Sequence, residues 1–135
     1  MDFALHPQLA ADSTPVCDLD VCAVRLLDDA RWPWLLLSPR RAGLRELHDL
    51  DAADLPVVVR ETAAAGRVLA DLTHADKINT ASLGNVVEQL HIHVVARRRG
   101  DTNWPGPVWG CPSRTAYDEA TRTWLTERVR TALAR

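Results

Sequence analysis

A chain of 135 residues, 47% hydrophobic and 25% charged, has the size and balance of one folded domain spanning residues 1–135, which is not the composition of a disordered chain and needs neither disulfide nor metal to hold a core. A formal net charge of −2 offers no basic surface to a DNA or RNA polymer or to an anionic membrane, and the longest apolar run, near Trp32 to Leu37, is too short to cross a bilayer. Three cysteines (Cys17, Cys22 and Cys111) without a Cys-x-x-Cys pair suit free thiols in a reducing compartment, and the opening MDFALHPQLAADS lacks the features of a secretion signal, so the expected location is the cytoplasm.

In chain order, VCAVRLL (21–27) and WLLLS (34–38) are short apolar runs separated by DDARWP, the pattern of two strands and a loop. From Asp54 to Thr73, the positions Leu55, Val58, Thr62, Ala65, Leu69 and Leu72 recur at steps of three and four and predict an amphipathic helix. Asp51 and Asp54 both qualify as its cap, and Pro56 disfavours helical geometry at Leu55. KINTASL (77–83) predicts a third strand ending at Gly84-Asn85, and residues 89–97 a fourth. The stretch GDTNWPGPVWGCP (100–112) is too rich in Gly and Pro for regular structure and predicts an ordered loop with tryptophan anchors. Helical spacing returns at Tyr117, Ala120, Trp124, Val129 and Leu133, with Ser113 or Thr115 as the expected cap. Strands, helix, strands, helix is the order of an α+β domain with an antiparallel sheet.

The fourth strand carries the chemistry. Side chains alternate along a strand, so Leu90, Ile92, Val94 and Ala96 form one apolar face while Gln89, His91, His93 and Val95 form the other. The two imidazoles then stand roughly 7 Å apart along the chain, at about 3.3 Å of rise per residue. Such a row fits a solvated sheet face, a metal site if a third ligand approaches from elsewhere, or a nucleophile with its orienting neighbours.

Residues 84–97, GNVVEQLHIHVVAR, resemble the signature of the histidine triad (HIT) superfamily of nucleotide hydrolases and transferases, in which three alternating histidines lie on one strand. The likeness extends to DDARWPWLLLSPR and KINTASLGN upstream and to NWPGPVWG downstream. It implies a HIT-like fold, a half-barrel of about five antiparallel strands with two main helices, usually paired as a homodimer. One histidine is missing from the triad, and two registers are possible: Gln89, His91, His93 or His91, His93, Val95. Glutamine still donates and accepts hydrogen bonds, whereas valine does neither, so the first register is preferred. Glu88 stands where the resemblance leads one to expect proline.

In that register the resemblance implies that Nε2 of His91 attacks the α-phosphorus of a nucleotide derivative and forms a covalent nucleotidyl-histidine, with no metal and no cofactor. His93 would contact the phosphate or assist the leaving group, and Gln89 would hold a phosphate oxygen. Gly84 and Asn85 would lie against the phosphate, Asn79 would face the phosphate or sugar, and Asp28 would meet the ribose hydroxyls, with Asp29 adjacent. The partner expected is a nucleotide-type small molecule. A nucleotide-binding or regulatory module with little turnover is the competing reading, because the triad has lost a histidine. Arg97, Arg98 and Arg99 read as a solvated strand end or as contacts to distal phosphates. Arg31, Arg40 and Arg41 are similarly open, as are Trp104 and Trp109, between stacking on a base and pinning their loop.

Overall fold

Five strands assemble in the computed structural model, which describes residues 2–134: β1 (Ser13–Asp18), β2 (Cys22–Leu27), β3 (Trp34–Pro39), β4 (Lys77–Ala81) and β5 (Ile92–Arg97). They form one open antiparallel sheet in the order β1-β2-β3-β5-β4, with three helices, α1 (Pro7–Ala11), α2 (Asp54–Thr73) and α3 (Glu119–Leu133). This is the α+β architecture with an antiparallel sheet that the order of elements predicts. Among the described residues no helix is long and apolar enough to cross a membrane.

α2 has the expected span. Asp51 starts it: its Oδ1 accepts from the Asp54 amide at 2.8 Å, and Pro56 falls in the first turn, where the missing N–H has no helical acceptor to lose. The helix stops at His74, whose left-handed φ of 54° turns the chain toward β4. The buried stripe includes Val58, Ala65 and Leu69 as the spacing predicts, but Leu55 is exposed and Glu61 is buried. The Glu61 carboxylate accepts from the Val21 and Cys22 amides, the latter at 2.8 Å, and so holds the β1–β2 turn against the helix.

α3 begins later than expected. Residues 113–118 are held as a loop by Asp28 and Asp29, which accept from the Tyr117 and Thr115 amides, and the cap is Asp118, whose side chain accepts from the Thr121 amide at 2.7 Å. β5 begins at Ile92, so Gln89 and His91 precede the strand. β1 and α1 had no clear sequence signature: β1 carries Pro15, tolerated on an edge strand beside a register shift, and α1 spans five residues.

Every residue of β3 and β5 is buried, so the centre of the sheet is covered on both faces. α2 packs on β3 and β5 over the face that carries Leu35, Leu37, Ile92, Val94 and Ala96, and α3 packs against α2 and β1. The opposite face carries a second cluster that joins Trp34, Leu36 and Val95 to Leu9 of α1 and to Val87 and Val108 of two loops. The histidine row lies on this second face. It is therefore a covered surface rather than a solvated one.

Candidate active site

A cleft of about 460 Å³ opens on that second face, with His91 and His93 in its floor. Leu36 pairs with His93 across the sheet and Trp34 with Val95, so Trp34 is the diagonal neighbour of His93 on the same face. The two imidazole centroids are 5.0 Å apart, and both residues are largely buried, with 6% and 9% of their surface exposed.

The hydrogen bonds assign different tautomers to the two rings. Nδ1 of His91 lies 2.7 Å from the backbone oxygen of Gln89, which can only accept, so in the neutral ring Nδ1 carries the proton and Nε2 the lone pair. Nδ1 of His93 accepts from the Trp34 indole N–H at 3.0 Å, so in the neutral ring Nε2 carries the proton. Burial, and secondarily the neighbouring His91, push the pKa of His93 down to about 4. His91 thus offers an acceptor or nucleophile, and His93 a neutral donor.

Around these rings the cleft has a polar end and an aromatic wall. Trp109 meets His93 edge to face at 5.5 Å and Trp34 at 6.1 Å, while Trp104 lies outside the cleft, over the Arg97 guanidinium. Gly84 and Asn85 line the cleft, in the loop between β4 and β5. Gly84 has φ of +79°, a left-handed conformation that a side chain disfavours, and an added Cβ would stand 3.4 Å from the Val87 oxygen.

Three expected ligands lie elsewhere. Gln89 does not line this cleft: its Oε1 accepts from the His6 amide and its Nε2 donates to the Ala4 oxygen, both at 2.8 Å, because the chain leaves strand geometry before Ile92 and turns that side chain toward the N-terminal segment. Asp28 points to the Tyr117 amide, while its neighbour Asp29, 3% exposed, lines the cleft. Asn79 pairs with Val95 and lies two residue pairs further along the sheet than Ala81, which pairs with His93; it shares the site's face but not the cleft.

The Asp29 carboxylate is bound by Arg31, whose Nη2 lies 2.8 Å from Oδ2 and whose Nε lies 3.0 Å from Oδ1. Burial works against this carboxylate, but the hydrogen bonds from Arg31 outweigh it and hold its pKa below the usual range. Arg40 and Arg41 are held away from the cleft by the Leu19 oxygen and by Asp54. Arg97 is 1% exposed and buried under the 100–110 loop, Arg99 pairs with Asp76, and none of Arg97, Arg98 and Arg99 lines the cleft. Among the described residues no group of three or more His, Cys, Asp or Glu side chains is arranged to hold a metal ion. Sequence reasoning missed Gln8, Leu9 and Asp12 of the N-terminal wall and the indole of Trp34; neither carries a local signal, since both act through distant contacts.

A family profile described as HIT domain matches residues 8–100. No curated protein matches the chain. Solved structures do. A histidine triad protein from Sinorhizobium meliloti is 42% identical, with 96% of each chain covered and a TM-score of 0.94. One from Bradyrhizobium japonicum is 38% identical over 98% of this chain and 99% of its own, with a TM-score of 0.96. One from Marinobacter aquaeolei is 36% identical over 99% and 98%, also with a TM-score of 0.96. With the profile across its sheet and histidine segment, and these likenesses along nearly its whole length, the chain belongs to the histidine triad family.

Proposed function

We propose that this chain is a cytoplasmic nucleotidyl hydrolase or transferase, consisting of one HIT-like domain, that works through a covalent nucleotidyl-histidine on His91. Family members bind or hydrolyse nucleotides, which supports a nucleotide as the substrate class. One observation carries the assignment: the Gln89 carbonyl selects the neutral His91 tautomer with its proton on Nδ1 and its lone pair on Nε2, beside a His93 that presents N–H. The Nε2 lone pair forms a bond to the α-phosphorus as the bond to the leaving group breaks, and the leaving group takes its proton from solvent water. Water or another acceptor then displaces the nucleotidyl group and regenerates the imidazole. His93 donates a hydrogen bond from Nε2 to the phosphate or leaving group and keeps its proton, and Gly84 and Asn85 approach the phosphate oxygens. In this scheme Asp29, not Asp28, is the acid near the sugar, and no metal or cofactor takes part.

A nucleotide-binding module with little turnover is the second reading, favoured by the first triad position, whose glutamine side chain turns away from the cleft and leaves His91 and His93 as its imidazoles among the described residues. Acid-free quenching with an adenosine phosphoramidate followed by mass spectrometry separates the two. The expected result is an adenylyl adduct on His91 that His91→Ala lacks, with turnover reduced by about a thousandfold or more, as for loss of a covalent nucleophile. An adduct on His93 would mean that the other register holds, and tight nucleotide binding without adduct or turnover would establish the binding module. The second copy implied by the family resemblance is assigned to the open edge of β4 and the adjoining face of α2, where Val59, Ala63, Ile78 and Thr80 border an apolar groove.

A further inference from the structure

Gln89 stands at the junction of two parts of the site. Its backbone oxygen orients the His91 ring, while its side-chain amide faces away from the cleft and grips the N-terminal segment 83 to 85 residues earlier in the chain. The grip has two points. Ala4 offers a carbonyl and His6 an amide, two residues apart, and the glutamine amide meets both as one peptide of a neighbouring strand would. No other side chain of similar length does this as well. Glutamate accepts but cannot donate to Ala4, and the two nitrogens of an imidazole diverge too far to engage both groups.

Beyond His6 the chain forms one wall of the cleft. The His6 Nδ1 accepts from the Gln8 amide at 3.0 Å and starts α1, which presents Gln8 and Leu9 to the cleft, with Asp12 just after the helix. Leu9 is buried with Trp34, Leu36 and Val108. α1 is too short to hold its place through its own hydrogen bonds, so its position depends on what anchors its ends.

We infer that Gln89 is a positioning residue: its amide clamps the N-terminal segment so that this segment closes one side of the cleft over His91 and His93, and it does not itself touch phosphate. The role rests on the nucleotidyl reading. The first triad position has thereby exchanged a side chain in the site for a tie to the wall of the site.

Full-length variants test this. Gln89→Ala removes the clamp from one side. His6→Pro removes the His6 N–H from the other, at a φ of −56° that proline adopts, and His6→Ala isolates the separate loss of the Gln8 cap. In Gln89→Ala, amide hydrogen exchange at His6 should rise at least about tenfold, with the Leu90 amide, bonded to Leu44, unchanged. KM for an adenosine phosphoramidate, or the Kd of AMP where turnover is absent, should rise by about threefold to tenfold, with kcat within about twofold. His6→Pro should match this beyond the effect of His6→Ala, and the double variant Gln89→Ala/His6→Pro should be no worse than the stronger single. Multiplying effects in the double variant would mean that Gln89 contacts substrate directly and would overturn the inference, as would faster exchange with KM and Kd unaltered, or unchanged exchange. A wild-type chain that neither binds AMP nor turns over the phosphoramidate removes the nucleotidyl reading itself, and the role of Gln89 with it; exchange at His6 still reports the clamp, which keeps the two failures apart.

Discussion

His91 and His93 are two positions apart in sequence and chemically opposite in the folded chain, because a carbonyl faces one Nδ1 and an indole N–H faces the other. For His93 this has a measurable cost in acid. Its pKa falls from 6.5 to about 4 on folding, so between these values the unfolded chain holds a proton that the folded chain refuses. Stability from this group is complete above pH 6.5 and is lost as pH drops toward 4, by about 3 kcal/mol in all. Urea unfolding across that window should show the decline, and His93→Asn, which retains an acceptor for Trp34, should flatten it; an equal slope in the variant would assign the loss to other groups. The alternation that put both histidines on one face was legible in HIHVV, whereas the tautomers were not, since Trp34 comes from another strand.

At the scale of elements, α2 was the most legible, because a three-four stripe twenty residues long is a local pattern that its packing then uses. α3 was misjudged at its start because two aspartates 86 to 89 residues earlier in the chain compete for the backbone of residues 113–118. The loop after β5 shows the same dependence. Arg97, which read as a strand end open to solvent or phosphate, donates to Asp101 at 2.7 Å and to the Gly106 oxygen at 2.7 Å, with its guanidinium near Trp32 and Trp104. It therefore ties down the Gly/Pro-rich segment that brings Val108 and Trp109 to the cleft. Arg97→Met should lower stability by about 3–5 kcal/mol, the usual penalty for orphaning one member of a buried ion pair. A shift of the urea midpoint checks this; Arg97→Met/Asp101→Asn should recover part of the loss, and a single variant as stable as the parent would contradict the role.

For the whole molecule, the sheet has one edge at β1, against which α3 packs, and another at β4 beside an apolar groove and a Val59 that is 58% exposed. Pairing through that second edge should make the chain a dimer at micromolar concentration in sedimentation velocity, and Val59→Lys should shift it to monomer; a parent chain that sediments as a monomer would remove the assignment. By itself the sequence determined the class of fold, the span of α2, the two-faced strand and the shared face of His91 and His93, all of which come from periodicities of two or 3.6 residues. Only the tertiary structure decided that the polar face is roofed over, that Asp29 and not Asp28 lines the cleft, and that the Gln89 amide leaves the cleft for a chain segment 83 residues away. Periodicity reports which way a side chain points from its own element. What it meets there depends on chain segments that no local pattern brings together.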